Sequence, residues 1–301
     1  MTNKWLKVAL MAAAIATGTS IKIDAETVLY VPQDDRPVSL QYTVDTAREA
    51  GMTILTPPQN LISGKNYQGQ ADQIMAWVEQ NAGRADVMVL STDTLIYGGL
   101  VDSRKHNIPL STLESRLKRI ESLKARNKNV RIYGFGTVMR SPRASGGGTE
   151  PAYYAEYGPT IFQIAALQDK LDSGSLTQEE TQKLMSLQAS VPIEYLQDWF
   201  DRRQKNMKIN KELIDETRSG VFDYFALGHD DTSQLSQSAL ESRYLSKYSK
   251  DIPVEKYGSF PGADQLGLLL MARSRTDEST EKPTFSVIYP LGGGGKTLPG
   301  Y

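Results

Sequence analysis

The sequence predicts an α/β fold: a parallel (β/α) barrel-like domain, incomplete at its C-terminal end, with an open doubly wound parallel sheet as the alternative. Three observations predict it. Short β-branched or apolar runs alternate with helical patterns along most of the chain. The runs are nearly continuous in apolar residues, as strands covered on both faces require. Most of them end abruptly in charged or small polar groups. A barrel takes about 250 residues and eight strands, whereas an open sheet needs about five or six.

The first element is not part of that fold. Lys4 and Lys7 precede the apolar run Val8 to Ala16, and Ile23-Asp24-Ala25 offers a small residue before Glu26. A short basic region, an apolar stretch too brief to span a bilayer and a cleavage point read as a secretory signal peptide over residues 1–25. The remaining residues, 26–301, read as a single α/β domain. Strands are expected at Val28–Val31, Thr53–Leu55, Val87–Leu90, Val130–Phe135, Tyr224–Leu227, Val254–Tyr257 and Phe285–Tyr289. Helices are expected at Leu40–Ala50, Ala71–Asn81, Leu110–Arg126, Ser233–Lys247 and Ala263–Ser274. Between the fourth and fifth strands, apolar positions such as Ile161, Ile164, Leu167 and Leu171 recur at helical spacing, so a helical insertion is read at about residues 142–220. Within it Thr177, with Glu180 three residues on, carries a capping-box signal.

Composition excludes several classes. The chain has 34 basic and 35 acidic side chains and a net charge of −1, which makes no electrostatic case for nucleic acid or an anionic membrane surface. There is no cysteine, hence no disulfide framework and no lipoprotein attachment. Gly292–Gly295 before Lys296-Thr297 resembles a phosphate-binding loop, but Pro290 stands where that loop needs its first glycine.

The informative feature is what collects at the strand ends. TVLYVPQDDRPV (Thr27 to Val38) runs from an apolar strand into Asp34, Asp35 and Arg36, and FDYFALGHDDT (Phe222 to Thr232) repeats the construction with His229, Asp230 and Asp231. Asp93 and Tyr97 follow the third strand; Arg140, Glu150 and Tyr154 follow the fourth. If the strands are parallel, all of these lie at one rim, where α/β proteins place their ligands. Each also has an ordinary role open to it. Asp35 can cap a helix, Asp231-Thr232-Ser233 contains ready N-caps, Asp93 can cap a turn, Arg140 can balance a carboxylate, and Tyr154 can pack against the insertion.

Carboxylates sharing a partly desolvated cleft can have their pKa values pushed apart, giving one acid and one base or stabiliser. In a barrel, Asp34 or Asp35 would face Asp230 or Asp231 across the axis, the arrangement that glycoside hydrolysis uses. Arg36 and Arg140 could each grip a carboxylate or phosphate bidentately. The spacing of the acidic groups and His229 matches no metal motif.

Five stretches carry a family resemblance: YVPQDDRPV, VLSTDTLIYGGLVDSR (Val89–Arg104), FGTVMRSP (Phe135–Pro142), LGHDDT and PGADQLGLLLMAR (Pro261–Arg273). In this order they resemble a bacterial family known as domain of unknown function four-one-two-seven. Its members are generally longer, so the resemblance implies a piece of a longer protein. It brings no activity, but adds Asp264 to the strand-end groups. LGHDDT is also similar to the Asp-Asp of barrel hexosaminidases that use the substrate's acetamido group. That likeness implies an orienting role for Asp230 and a general-acid role for Asp231.

The expectation is an exported, glycosidase-like hydrolase acting on a carbohydrate or cell-envelope saccharide. Asp231, Asp230 and Asp35 would be catalytic, and Asp34, Arg36, Asp93, Tyr97, Arg140, Glu150, Tyr154, His229 and Asp264 would bind substrate. No cofactor and no resident metal are expected. The expected partner is a small-molecule or saccharide ligand, not nucleic acid, with no stable membrane insertion after signal cleavage and an extracytoplasmic location. A non-catalytic binding protein for a polar ligand and a metal-dependent hydrolase are the alternatives.

Overall fold

Strand β1 (Thr27–Val31) is almost wholly buried, and its residues alternate between two cores. That follows from the two-residue period of a strand with apolar groups on both sides. The computed structural model describes residues 25–144, 147–231, 233–279 and 284. The expected signal peptide up to residue 24, the expected strand Phe285–Tyr289, the glycine-rich stretch Gly292–Gly295 and Thr232 lie outside the described residues.

After β1 come α1 (Gln41–Glu49), β2 (Thr53–Leu55), α2 (Ala71–Asn81), β3 (Val87–Ser91), α3 (Thr92–Tyr97), α4 (Leu100–Lys105), α5 (Leu110–Arg126) and β4 (Arg131–Val138). The helices α6 (Tyr154–Asp172), α7 (Gln178–Ala189) and α8 (Ile193–Ser219) stand between β4 and β5 (Tyr224–His229). Then follow α9 (Gln237–Tyr248), β6 (Tyr257–Pro261) and α10 (Leu266–Glu278). The sixth strand lies further along the chain than the Val254–Tyr257 run suggested, because Ile252-Pro253 belongs to the turn that enters it.

All six strands are parallel, in the order β2-β1-β3-β4-β5-β6. Closure into the expected barrel is not seen among the described residues. A barrel keeps its strands in chain order, whereas here β1 lies between β2 and β3, and β2 and β6 are edges among the described residues. This strand order is consistent with the alternative, an open doubly wound sheet. Continuous apolar strands could not distinguish the two, since both bury each strand on two faces.

One face of the sheet (Leu29, Val31, Met88, Leu90, Ile132, Leu227) packs on α2, α5 and α8. The other (Val28, Tyr30, Val87, Val89, Tyr133, Phe135) packs on α1 and α10. A separate cluster, with Tyr154, Ile161, Ile164, Leu184 and Trp199, holds α6, α7 and the start of α8 together. The capping box of α7 is present: Thr177 Oγ1 accepts from the Glu180 amide at 3.2 Å, and Glu180 Oε2 accepts from the Thr177 amide at 3.1 Å.

The chain runs outward from β1 to β2 and then returns past β1 to β3. The strand order reverses there, and in open α/β sheets ligands bind in the crevice beyond the carboxyl ends of such strands.

Candidate functional site

Local chemistry fixes the loops at this crevice. Ser91 caps α3, accepting from the Thr94 amide at 3.3 Å. Thr94 Oγ1 then donates to the Pro32 carbonyl at 2.7 Å, locking α3 to the tip of β1. The turn into α4 requires glycine twice. Gly98 has φ +112°, and a Cβ on Gly99 would lie 1.8 Å from Ser63 Oγ. This close approach seats α4 against the loop after β1, where the Leu100 amide donates to the Gln33 carbonyl.

Asp93 is the most buried of the charged groups at these strand ends. It is 2% exposed and accepts from Thr137 Oγ1 at 2.7 Å and from Gln33 Nε2 at 3.4 Å. Burial pushes its pKa up to about 6, against these hydrogen bonds and the nearby Arg104 guanidinium. Arg104, buried at the end of α4, forms an ion pair with Asp230 at the tip of β5. Burial raises the Asp230 pKa, and Arg104 and Arg140 oppose the rise. The same burial lowers the pKa of Arg104, with Asp230 opposing and Arg140 adding to the effect.

The tip of β1 reaches the far side of the rim through Arg36. Its Nε donates to Asp34 Oδ2 and its Nη2 to Asp264 Oδ1, each at 2.7 Å. Asp264 in turn lies close enough to Asp230 to raise its pKa. Asp35 accepts from the Tyr67 hydroxyl and holds the Ser63 carbonyl through its amide at 2.9 Å. Arg140 pairs with Glu150 through Nε at 2.7 Å and bonds Thr149 Oγ1 at 2.6 Å.

The structure therefore brings Asp34, Arg36, Asp93, Arg140, Glu150, Asp230 and Asp264 into one electrostatically connected rim drawn from the ends of β1, β3, β4, β5 and β6. Asp231 sits beside it in a different role. Its Oδ2 accepts from the Ser141 amide at 3.2 Å and its Oδ1 from the Ser233 amide at 2.9 Å, so it clasps two loops. His229 is held through Nδ1 by Ser242 Oγ and through Nε2 by Ser259 Oγ, both at 2.5 Å, and burial lowers its pKa. Tyr154 is fully buried with its hydroxyl on the Pro142 carbonyl at 2.8 Å, in the core of the inserted helices. Tyr97 is buried and stacks on His106 at 4.9 Å between ring centres.

Four groups at the site were not singled out from sequence: Gln33, Tyr67, Arg104 and Thr137. Gln33, Arg104 and Thr137 lie inside stretches already noted for their resemblance, but nothing local distinguishes Arg104 from a solvated helix-end arginine. Thr137 reads as an ordinary strand residue. The arginine forks, expected to grip an anion, face carboxylates of the chain itself. Among the described residues no group of three or more histidine or acidic side chains is placed to hold a metal ion.

Fold and rim together define an α/β protein with a six-stranded parallel sheet and acidic groups gathered beyond its carboxyl ends. The chain belongs to the family described as protein of unknown function (DUF4127), which matches residues 28–301. No curated protein matches it.

Proposed function

We propose that this chain is a hydrolase acting on a neutral or amino-bearing saccharide bound over the carboxyl edge of the sheet. The observation that carries the reading is Asp230: a partly exposed carboxyl with a raised pKa, oriented by a buried arginine, at the meeting point of five strand ends. A carboxyl whose pKa is raised by its surroundings is closer to what a general acid needs than a freely solvated one. Together with it, seven carboxyl groups (Asp34, Asp35, Asp93, Glu150, Asp230, Asp231 and Asp264) follow the strand ends, against the three guanidinium groups of Arg36, Arg104 and Arg140. Such a rim repels phosphates and carboxylates and suits polyhydroxyl groups.

In this reading Asp230 gives its proton to the leaving glycosidic oxygen. Asp35, half-buried beside the Tyr67 hydroxyl, activates the attacking water or stabilises the cationic sugar ring. Asp231 shapes the loop, so the general-acid role that the hexosaminidase likeness implied for Asp231 falls to Asp230. The basic and apolar pattern before Glu26 supports export, so the substrate belongs to the cell envelope or its surroundings. No helix among the described residues is long and apolar enough to cross a membrane.

The test is product release from a panel of aryl glycosides and envelope glycans by the wild-type protein and by Asp230→Asn. Turnover by the wild type that falls at least about a hundredfold in the variant supports the reading. A second reading, a non-catalytic protein that binds a polar ligand, is favoured by one observation: Asp34, Asp230 and Glu150 are each already paired with an arginine. Saccharide affinity without product formation selects it.

A further inference from the structure

His229 closes β5 and stands half-buried between α9 and the edge strand β6. Its Nδ1 lies 2.5 Å from Ser242 Oγ of α9, and its Nε2 lies 2.5 Å from Ser259 Oγ of β6. The strand register explains the second contact. Leu227 stands opposite Ser259, and side chains two apart on a strand share a face, so His229 and Ser259 point to the same side of the sheet. Burial alone lowers the His229 pKa, so at neutral pH one ring nitrogen donates and the other accepts. The two serines differ in access. Ser242 is partly covered, whereas Ser259 is exposed, as are Pro261 and Gly262 just beyond it. Among the described residues no strand lies on the outer side of β6. The Phe225 amide donates to the Lys256 carbonyl, and the alternation of a parallel ladder from that bond turns the Ser259 amide toward the outer edge. An exposed hydroxyl, an imidazole within reach of it and a third group holding the other ring nitrogen are what activate a serine nucleophile.

We propose that Ser259 is a nucleophile toward small acyl esters, with His229 Nε2 as its general base and Ser242 holding Nδ1. The surroundings select that class. The hydroxyl sits on an open strand edge, where it meets a pendant group such as an acetyl ester on a larger molecule. Ser259 Oγ bonds to the ester carbonyl carbon while its proton passes to Nε2. The bond from that carbon to the alcohol oxygen then breaks, and the alcohol leaves with the proton from Nε2. Water attacks the acyl-serine, gives a proton to Nε2, and the acid departs as that proton returns to Ser259 Oγ. The Ser259 amide, turned away from β5, is the donor available to the carbonyl oxygen as it takes up charge. This activity is separate from the proton donation by Asp230 and does not rest on it.

The full chain is treated with a neutral alkyl fluorophosphonate, which transfers its phosphonyl group to an activated serine with loss of fluoride, and with para-nitrophenyl acetate. Mass spectrometry of the intact chain and its peptides is expected to place a phosphonyl group on Ser259, and Ser259→Ala should stay unlabelled. His229→Gln, which cannot take the proton, should label at least about a hundredfold more slowly. Ser242→Ala, which leaves Nδ1 unheld, should label about tenfold more slowly. Melting curves show which variants fold, and if His229→Gln does not, the Ser242→Ala rate decides. The wild type should release nitrophenol from the acetate, and Ser259→Ala should release it no faster than buffer. A wild type that takes no label, a label on another residue only, or a Ser259 labelling rate unmoved by the folded variants overturns the proposal. Ester turnover through Ser259 without glycan hydrolysis contradicts the glycosidase reading alone. Glycan hydrolysis with an unreactive Ser259 contradicts this proposal alone.

Discussion

Arg104 and Asp230, 126 positions apart in the chain, form an ion pair that joins the helix after β3 to the tip of β5. With the arginine side chain 5% exposed and the aspartate 17% exposed, neither charge can rely on water. The pair fixes the orientation of the carboxyl on which the proposed chemistry depends.

Removing one partner of such a pair strands the other. Arg104→Met should destabilise the fold by about 3–5 kcal/mol, measured by denaturant unfolding, because Asp230 then loses its paired cation in a largely buried position. Arg104→Met combined with Asp230→Leu should recover much of that loss. A double variant no more stable than the single would show that the pair is not the cause.

Arg203 makes a second prediction at the back of the site. It is 1% exposed, with Nε at 2.8 Å and Nη2 at 2.7 Å from the Glu241 carboxylate. It also donates to the Arg140 carbonyl at 2.9 Å and the Met139 carbonyl at 2.7 Å. Arg203→Met should therefore cost about 3–5 kcal/mol and also free the chain that carries Arg140. Faster amide exchange just after β4, measured by mass spectrometry, should accompany the loss.

The pH dependence of stability separates Asp93 from the histidines. The folded Asp93 pKa of about 6 lies above its ordinary value of 3.8, so the folded chain keeps a proton that the unfolded chain has released. Stability from this group is full below its ordinary pKa and is lost as pH rises through about 6. His106, lowered to about 4 by burial, and His229, lowered by the same cause, act oppositely: their contribution is lost as pH falls below the ordinary histidine range. Asp93→Asn should match the wild type near pH 4 and exceed its stability at pH 8, by an amount of the order of 3 kcal/mol. A gap that does not widen with pH would contradict the assignment.

How much of this was legible in the sequence depended on range. The helices Ala71–Asn81 and Leu110–Arg126 were readable to the residue because apolar spacing and end signals are local. The rim was readable in outline, since Asp34, Asp93 and Asp230 each come soon after the end of a strand. Strand order was not, because nothing in β1 states whether β3 or a later strand lies beside it. The roles of Asp230 and Asp231 were equally hidden. Adjacent in sequence, they differ only in what they meet: Arg104 for one, and the amides of Ser141 and Ser233 for the other.

That contrast gives a further prediction. Asp231→Asn keeps an acceptor for one of the two loop amides, so it should lose no more than about 1–2 kcal/mol of stability and retain most turnover. Asp230→Asn keeps a carbonyl acceptor for Arg104, so it should lose stability but remain folded, and it should lose activity. Equal kinetic losses in both would restore Asp231 to a chemical role.

The central claim is that Asp230 is the proton donor to the leaving group. It is tested most directly by comparing kcat/KM of the wild type and Asp230→Asn on two glycosides of one sugar. One carries an activated nitrophenyl leaving group and the other an unactivated alkyl group. A general acid matters little when the leaving group departs without a proton. The account predicts a loss of at least about a hundredfold on the alkyl glycoside and a much smaller loss on the nitrophenyl glycoside. Equal losses on both substrates, or no loss on either, would contradict it.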